Sequence, residues 1–407
     1  MNLLIISRTC SLQKYQYIFE TREKKYIDPS QKFFYQLFEG TINNKNFKTI
    51  TYISSLPIST SVHKKKKWNR EIERKGKFKF IYHKFINRKI ICFFASYYYI
   101  KKEINIWIKE NKNNGFIIVD GTNLIQMLAL LHFRKKVKKL ALVTDVPNMI
   151  TVIGHKKMSK IRCFFQLIYD NFTLKVVNKF DGYIFLTESM NELLNPQKKP
   201  YIVIEGSVDT SKVYKQKQPT DTFNVVYAGG LYKSFGIDKL INSFSRFEEN
   251  DKIKLFLYGN GPIVENYSKQ DYINDKVQYM GVVSSDEIVK IEAEADLLIN
   301  PRPSNLEFTK YSFPSKTLEY MSSGTAFLTT KLKGIGKEYF KYLLVIDDET
   351  EYGIYKSIRN AYLMEQKELT ELGNKAKKFV ETQKNSYHQC VRLYDFLMEL
   401  DNYENQK

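Results

Sequence analysis

The 407-residue chain is expected to fold as an α/β protein built from two doubly wound parallel-sheet domains, and three observations predict this. From about residue 115 short β-branched runs alternate with longer helical patterns, the signature of βαβ units. The rhythm breaks at a polar stretch holding Gly206 and Pro219 and then restarts. A chain of this length that is 43% apolar can bury two cores, so disorder is excluded as its dominant state.

Met1–Ser7 lacks the basic start and long apolar core of a signal peptide and reads as a buried first strand, so export by that route is not expected. Residues 20–114 resist division into elements. Within them the basic stretch from Lys64 to Phe80, with Trp68, Phe78 and Phe80 among its cations, reads either as an amphipathic surface element or as a solvated charge run. Ile90 to Ile100 is about half the roughly 20 residues that a spanning helix needs, and Gly115 to Phe133 is interrupted by Asp120, Asn123 and Gln126. No transmembrane segment is expected.

The first series of strands is Phe116–Val119, Leu140–Val143, Tyr183–Leu186 and Tyr201–Ile204, with helices to about Phe133 and near 158–178. Glu205 to Phe223 has the composition of a linker. The second series is Asn224–Tyr227, Lys254–Tyr258, Val277–Met280, Asp296–Asn300, Ala326–Thr329 and Tyr342–Ile346, and helical periodicity runs from about Glu351 to Leu400. The expected domains are 1–205 and 206–385, followed by a terminal helix, 386–407, packing back on the first domain.

Charge separates the halves. Residues 1–200 hold 37 basic and 14 acidic residues, a net +23, whereas residues 201–407 hold 27 and 30, a net −3. A cationic half fits an anionic surface, and anionic lipid is preferred because no nucleic-acid-binding module with stacking aromatics is present. Biased codon usage is the competing explanation for the many lysines. The four cysteines, Cys10, Cys92, Cys163 and Cys390, are far apart, so neither a zinc site nor a disulfide framework is expected and a reducing, cytoplasmic location fits.

Ligands of open parallel sheets bind at the carboxyl ends of strands, so the chemistry is sought in strand-to-helix turns. Gly229 and Gly230 allow backbone to approach a phosphate that Lys233 could neutralise, although tight turns use glycines for steric reasons too. Gly259-Asn-Gly-Pro262 forms a second such turn. In the third, Tyr311-Ser312-Phe313 leads to Pro314, which suits a helix start, and Gly324 suits its end. That N-terminus suits an anion, with Lys316 beside it. Glu319, one and a half turns in, is placed to accept hydrogen bonds from vicinal hydroxyls such as those of a ribose, or else is a salt-bridged surface carboxylate. In the first domain Asp145 and His155 are either cleft-facing substrate contacts or a cap and a surface imidazole.

Taken in order, Gly229-Gly230, Gly259-Asn-Gly-Pro262, Gly281, Ala295-Asp296, Pro314-Ser-Lys-Thr-Leu-Glu319 and Gly324 resemble the glycosyltransferases of family 4, of the GT-B type, over roughly residues 115–382 and most firmly 223–331. The Pro-Ser-Lys-x-x-Glu-Tyr-x-x-x-Gly form looks like enzymes that build capsular, exopolysaccharide or wall glycans. Thr144–Pro147 and Asp181–Glu188 look similar to first-domain segments of these enzymes. The resemblance implies two Rossmann-like domains facing a cleft, a nucleotide-diphosphate sugar as donor on the second, a glycan or lipid-linked acceptor on the first, and transfer with retention of configuration. No cofactor or metal is expected, since no Asp-x-Asp motif is evident and a helix N-terminus with lysines can stabilise the leaving phosphate.

Three departures stand out. Tyr311 occupies the position of the first of the family's paired glutamates; Gly230 and Phe235 fall where it often has Arg and Lys; and Ser7-Arg8-Thr9-Cys10 replaces its first glycine loop. The expected function is a glycosyltransferase of surface polysaccharide synthesis, peripheral at the inner face of the cell membrane, with Glu319, Lys233 and Lys316 as catalytic residues. Gly229, Gly230, Gly259, Gly281, Tyr311, Ser312, Phe313, Asp145 and His155 are the expected substrate contacts. Complexes with other glycan-synthesis enzymes are an expected partnership. The departures leave open a catalytically silent GT-B relative that acts as partner or chaperone of an active enzyme.

Overall fold

The computed structural model describes residues 1–21, 29–58, 63–88, 91–111, 115–133, 136–143, 159–208, 210 and 220–405. The contacts divide the chain into two units, 1–207 with 386–407, and 208–385.

In chain order the first unit holds β1 (Asn2–Ser7), α1 (Leu12–Glu20), α2 (Pro29–Glu39), β2 (Thr49–Ser54), β3 (Lys67–Trp68), β4 (Glu71–Lys75), β5 (Phe78–Tyr82), β6 (Phe85–Ile86), α3 (Ile91–Glu110), β7 (Phe116–Asp120), α4 (Leu124–Leu131), β8 (Lys138–Val143), α5 (Lys160–Val177), β9 (Gly182–Phe185), α6 (Glu188–Leu194) and β10 (Tyr201–Val203). Its main sheet runs β10-β9-β8-β7-β1-β2-β5-β4, parallel throughout except for β4, which pairs antiparallel with β5. The continuous apolar runs Leu3–Ile6 and Ile117–Val119 are wholly buried in its central strands, as a sheet covered on both faces demands.

Residues 64–80 correct one of the two sequence readings. Within them β4 and β5 extend this sheet and β3 pairs with β6 in a small ribbon, so Trp68, Phe78 and Phe80 are buried and form no amphipathic surface face, while the lysines at 64–67, Arg70, Arg74 and Lys75 are exposed, as the solvated charge run expects. Phe78 and Phe80 enter the core against Tyr52, edge-on and stacked respectively, while the four charges of Glu71–Lys75 line the outer strand, where they discourage edge-to-edge pairing.

The second unit holds β11 (Phe223–Ala228), α7 (Ile237–Phe244), β12 (Ile253–Tyr258), β13 (Tyr272–Asn274), β14 (Val277–Gly281), α8 (Ser285–Glu294), β15 (Leu297–Asn300), α9 (Ser315–Ser323), β16 (Ala326–Thr330), β17 (Leu344–Ile346), α10 (Glu351–Tyr362) and α11 (Gln366–Gln383). Its sheet runs β13-β14-β12-β11-β15-β16-β17, with β13 alone antiparallel. The order reverses between β11 and β15, so the crevice where open α/β sheets take ligands lies above those two strands. The last helix, α12 (Ser386–Asn405), belongs to the first unit, where Leu393, Phe396, Leu397 and Leu400 complete the core.

The two units share one register device. Asp181, just before β9, accepts the backbone N–H of Lys139 at 2.9 Å and pairs with its ammonium at 3.0 Å. Asp296, just before β15, accepts the N–H of Asn224 at 2.7 Å. Both carboxylates stand at the amino edge of their sheets, away from the ligand edge. These motif residues therefore fix strand alignment.

Candidate functional site

The carboxyl edge of the second sheet gathers the sequence-singled residues of that unit. Gly229 and Gly230 follow β11, Gly259 follows β12, Gly281 ends β14, and Tyr311–Phe313 lead into α9. The glycines let backbones touch. A Cβ on Gly259 would lie 1.8 Å from the Gly229 carbonyl oxygen, and Gly259 has φ +128°. The contact is held by hydrogen bonds, from Gly229 N–H to Tyr258 at 2.9 Å, from Leu231 N–H to Asn260 at 3.0 Å and from Gly259 N–H to Gly281 at 2.9 Å. The buried Tyr320 hydroxyl on α9 accepts from the Ala228 N–H at 2.8 Å and tethers the helix to the end of β11. Helix and glycine turns are thus one rigid piece.

Helix α9 begins at Pro314 with no side chain capping its N-terminus and ends at Gly324, whose φ of +83° closes the last turn. An uncapped helix start offers backbone N–H groups and positive potential to an anion. Lys316, in the first turn, lies 3.1 Å from the Glu319 carboxylate and 3.8 Å from that of Glu292, so here it meets carboxylates. Both Lys316 and Glu319 are half-exposed and share one helix face, whereas Glu292 is buried. Lys233 is exposed on a short 3₁₀ turn after Gly230, and Ser312 is half-buried before the helix. Phe313 is buried against Tyr339, ring centres 5.6 Å apart, so what it offers a ligand is backbone. Tyr311 donates to Glu307 at 3.3 Å.

One residue at this edge escaped the sequence reading. Arg302, two positions beyond β15, lays its guanidinium 4.4 Å over the ring centre of Phe235. Nothing in the composition of Pro301-Arg302-Pro303 marks it, because its neighbour Phe235 is 67 positions earlier in the chain.

In the first unit, two cavities open at the carboxyl edge. One of about 370 Å³ is lined by Lys14, Lys65, Lys67, Arg70, Tyr17 and Trp68 among others. The other, of about 150 Å³, is lined by Arg8, Ser55, Phe85, Phe93, Ser96 and Asn123 among others. Asp145 and His155, with the whole Thr144–Pro147 segment, lie outside the described residues. Among the described residues no three His, Cys, Asp or Glu side chains come together as a metal site, and no helix is long and apolar enough to cross a membrane.

Residues 222–379 match the family model described as glycosyl transferases group 1. A search of curated proteins returned no match. Solved structures similar in fold include a sucrose-phosphate synthase from Thermosynechococcus elongatus, 12% identical, covering 99% of this chain and 100% of that one at a TM-score of 0.61. Another is the trehalose-6-phosphate structure from E. coli bound with UDP-2-fluoro glucose, 10% identical, covering 97% and 99% at 0.62. A third is Anabaena HepE in complex with UDP, 12% identical, covering 98% and 100% at 0.59. At such identities the likeness shows the fold. The second unit therefore carries a group 1 glycosyltransferase domain, and the chain has the two-sheet GT-B fold.

Proposed function

We propose that the chain transfers a sugar from a nucleotide-diphosphate donor, held at the carboxyl edge of the second sheet, to a glycan or lipid-linked acceptor at the same edge of the first, in surface polysaccharide synthesis. The observation that carries this is the uncapped α9 N-terminus with Glu319 farther along the helix, beside the point where strand order reverses. In this reading the diphosphate lies on the helix start and the ribose hydroxyls bond Glu319. The glycine turns bring backbone close to the phosphates. Transfer retains configuration and needs no metal, because the helix dipole and nearby cations oppose the leaving charge. Both solved relatives named with a ligand hold UDP or a UDP-sugar, which supports UDP as the first probe. A thermal-shift and calorimetric screen against UDP, GDP, ADP, CMP and their sugar conjugates tests it. Stabilisation by one diphosphate is expected. Binding of none would leave the proposal without a donor site.

A second reading, a catalytically silent partner of an active transferase, is favoured by Tyr311 and by Lys316 facing two carboxylates. Nucleotide binding without hydrolysis or transfer, together with co-purification of another transferase, would select it.

We place the enzyme at the inner face of the membrane, and the support lies on α5 and α3. Ile161, Phe164, Phe165, Ile168 and Phe172 are half to three-quarters exposed on one stripe of α5, and Phe93, Phe94 and Tyr98 are exposed in the first half of α3. Large apolar side chains standing in water at helical spacing mark a contact surface. Both helices lie in one layer with α4 between them, and both start at the carboxyl edge of the sheet. Their exposed ends are cationic, with Arg88 and Lys160 exposed beside them. The carboxylates of Glu103 and Asp170 are buried. An anionic bilayer complements both features. Phe93 also lines the smaller cavity, so a lipid-linked acceptor would meet the site from that side. The full chain is expected to float with vesicles of phosphatidylcholine and phosphatidylglycerol and to retain part of that binding at high salt, because aromatic insertion is not screened. The Phe164→Ser, Phe165→Ser double variant should bind at least about tenfold more weakly. Equal flotation of the variant, or a soluble dimer that the variant dissolves, would remove the membrane assignment.

A further inference from the structure

Gly230 and Phe235 stand where the resembled family often carries an Arg and a Lys, so the first glycine turn offers no cation at those two positions. The fold brings another to the same place. Gly230 and Phe235 are adjacent in space, since a Cβ on Gly230 would come within 3.1 Å of the Phe235 ring. The Arg302 guanidinium covers that ring at 4.4 Å from its centre and lies 5.6 Å from the centre of Phe308. Gly230 and Phe235 follow β11, whereas Arg302 follows β15. The stack therefore straddles the two strands between which the order reverses.

The state of this guanidinium is unusual. Its Nε is buried with no hydrogen-bond partner, and no carboxylate pairs with it among the described residues. The residue as a whole is half-buried, but a charged N–H shut from water and left unbonded is costly. Burial pulls its pKa downward, yet an arginine remains charged at any physiological pH. Its backbone is pinned, because the Thr330 hydroxyl donates to the Arg302 carbonyl at 2.5 Å. Phe235 and Phe308 flank the planar head. What such a fixed, underused fork fits is a phosphate.

We infer that Arg302 binds the terminal phosphate of the nucleotide diphosphate and replaces, from the opposite side of the crevice, the cations absent at positions 230 and 235. The inference rests on the donor site proposed above. In the transfer, the bond between the anomeric carbon and the β-phosphate oxygen breaks and its electron pair stays on that oxygen. The acceptor oxygen bonds to the anomeric carbon, and its proton passes to the departing phosphate. Arg302 opposes the charge that grows on that phosphate, so it contributes to both donor binding and rate.

The test compares UDP with UMP, which lacks the terminal phosphate. Calorimetry on the full chain should show Arg302→Gln binding UDP at least about tenfold more weakly while its UMP affinity stays within about twofold of wild type. A purely structural arginine would weaken both ligands together, and that result overturns the inference. So does unchanged UDP affinity in the variant while Glu319→Ala loses it. Should wild type bind no nucleoside diphosphate at all, the donor reading fails first and takes this one with it. If Arg302→Gln does not fold, Arg302→Met, which keeps an apolar body over Phe235, is read by the same UDP-to-UMP ratio.

Discussion

Alanine at position 259 is expected to lower the unfolding temperature by on the order of 10 °C and to abolish nucleotide binding. The cause is local and doubled. Gly259 has φ +128°, a region in which an L side chain costs about 1–3 kcal/mol. Its added Cβ would also stand 1.8 Å from the Gly229 carbonyl oxygen and 2.9 Å from that carbonyl carbon. Neither atom belongs to a flexible side chain, so relief requires the first two glycine turns to part. Parting them strains the hydrogen bonds from Gly229 to Tyr258 and from Gly259 to Gly281. The combined destabilisation should reach about 4 kcal/mol, a size reached only by changes with a specific structural cause. Gly76→Ala is the control. Gly76 also has positive φ, +57°, but nothing lies within 4 Å of its added Cβ, so only about 1–2 kcal/mol is expected. Differential scanning calorimetry of the two variants checks this, and equal shifts would show that the glycine turns at the carboxyl edge are not locked together.

Glu319→Ala should lower the kcat/KM of sugar transfer or hydrolysis by at least about 100-fold. Two hydrogen bonds from vicinal hydroxyls to a carboxylate contribute about 1.5–3 kcal/mol each, and neither survives truncation. Wild type should also prefer a ribonucleotide over its 2′-deoxy form, a preference that the variant loses. A variant that still discriminates the two sugars would show that Glu319 does not hold the ribose. The ion pair of Glu319 with Lys316 offers a second explanation for any loss, and Glu292→Gln separates the two. Glu292 faces the same lysine from α8, so if the role of Glu319 were only to place Lys316, both variants would weaken nucleotide alike. A ribose contact predicts loss of the sugar preference in Glu319→Ala alone.

The parts of the chain that were legible were those whose signals are local. Largely apolar runs of four or five residues between turn-forming residues marked the strands of both sheets from residue 116 onward, except the three-residue antiparallel β13, Tyr272–Asn274, which offers no such run. Pro314 and Gly324 marked the two ends of one helix, because each has a conformational requirement that its own backbone meets. Residues 20–114 were opaque for the opposite reason. Their strands β3 to β6 are two to five residues long, and β4 carries charge at nearly every position, so no apolar period survives to be read. Phe78 and Phe80 read as part of a surface in sequence, since their neighbours there are lysines. Their neighbours in space are Tyr52 and Tyr82.

The same division runs through the candidate site. Sequence by itself determined the α/β class, the order of the parallel strands in the second unit, and a set of glycine turns and one helix start suited to an anion, because each depends on residues within a few positions of one another. Tertiary structure decided which charges face which. It turned Lys316 onto Glu319 and Glu292, buried Phe313 beside Tyr339, and left an apolar stripe of α5 in water. It also set Arg302 over Phe235. Two strands adjacent in a sheet can be far apart in sequence, and only their pairing brings the loops that follow them into one crevice.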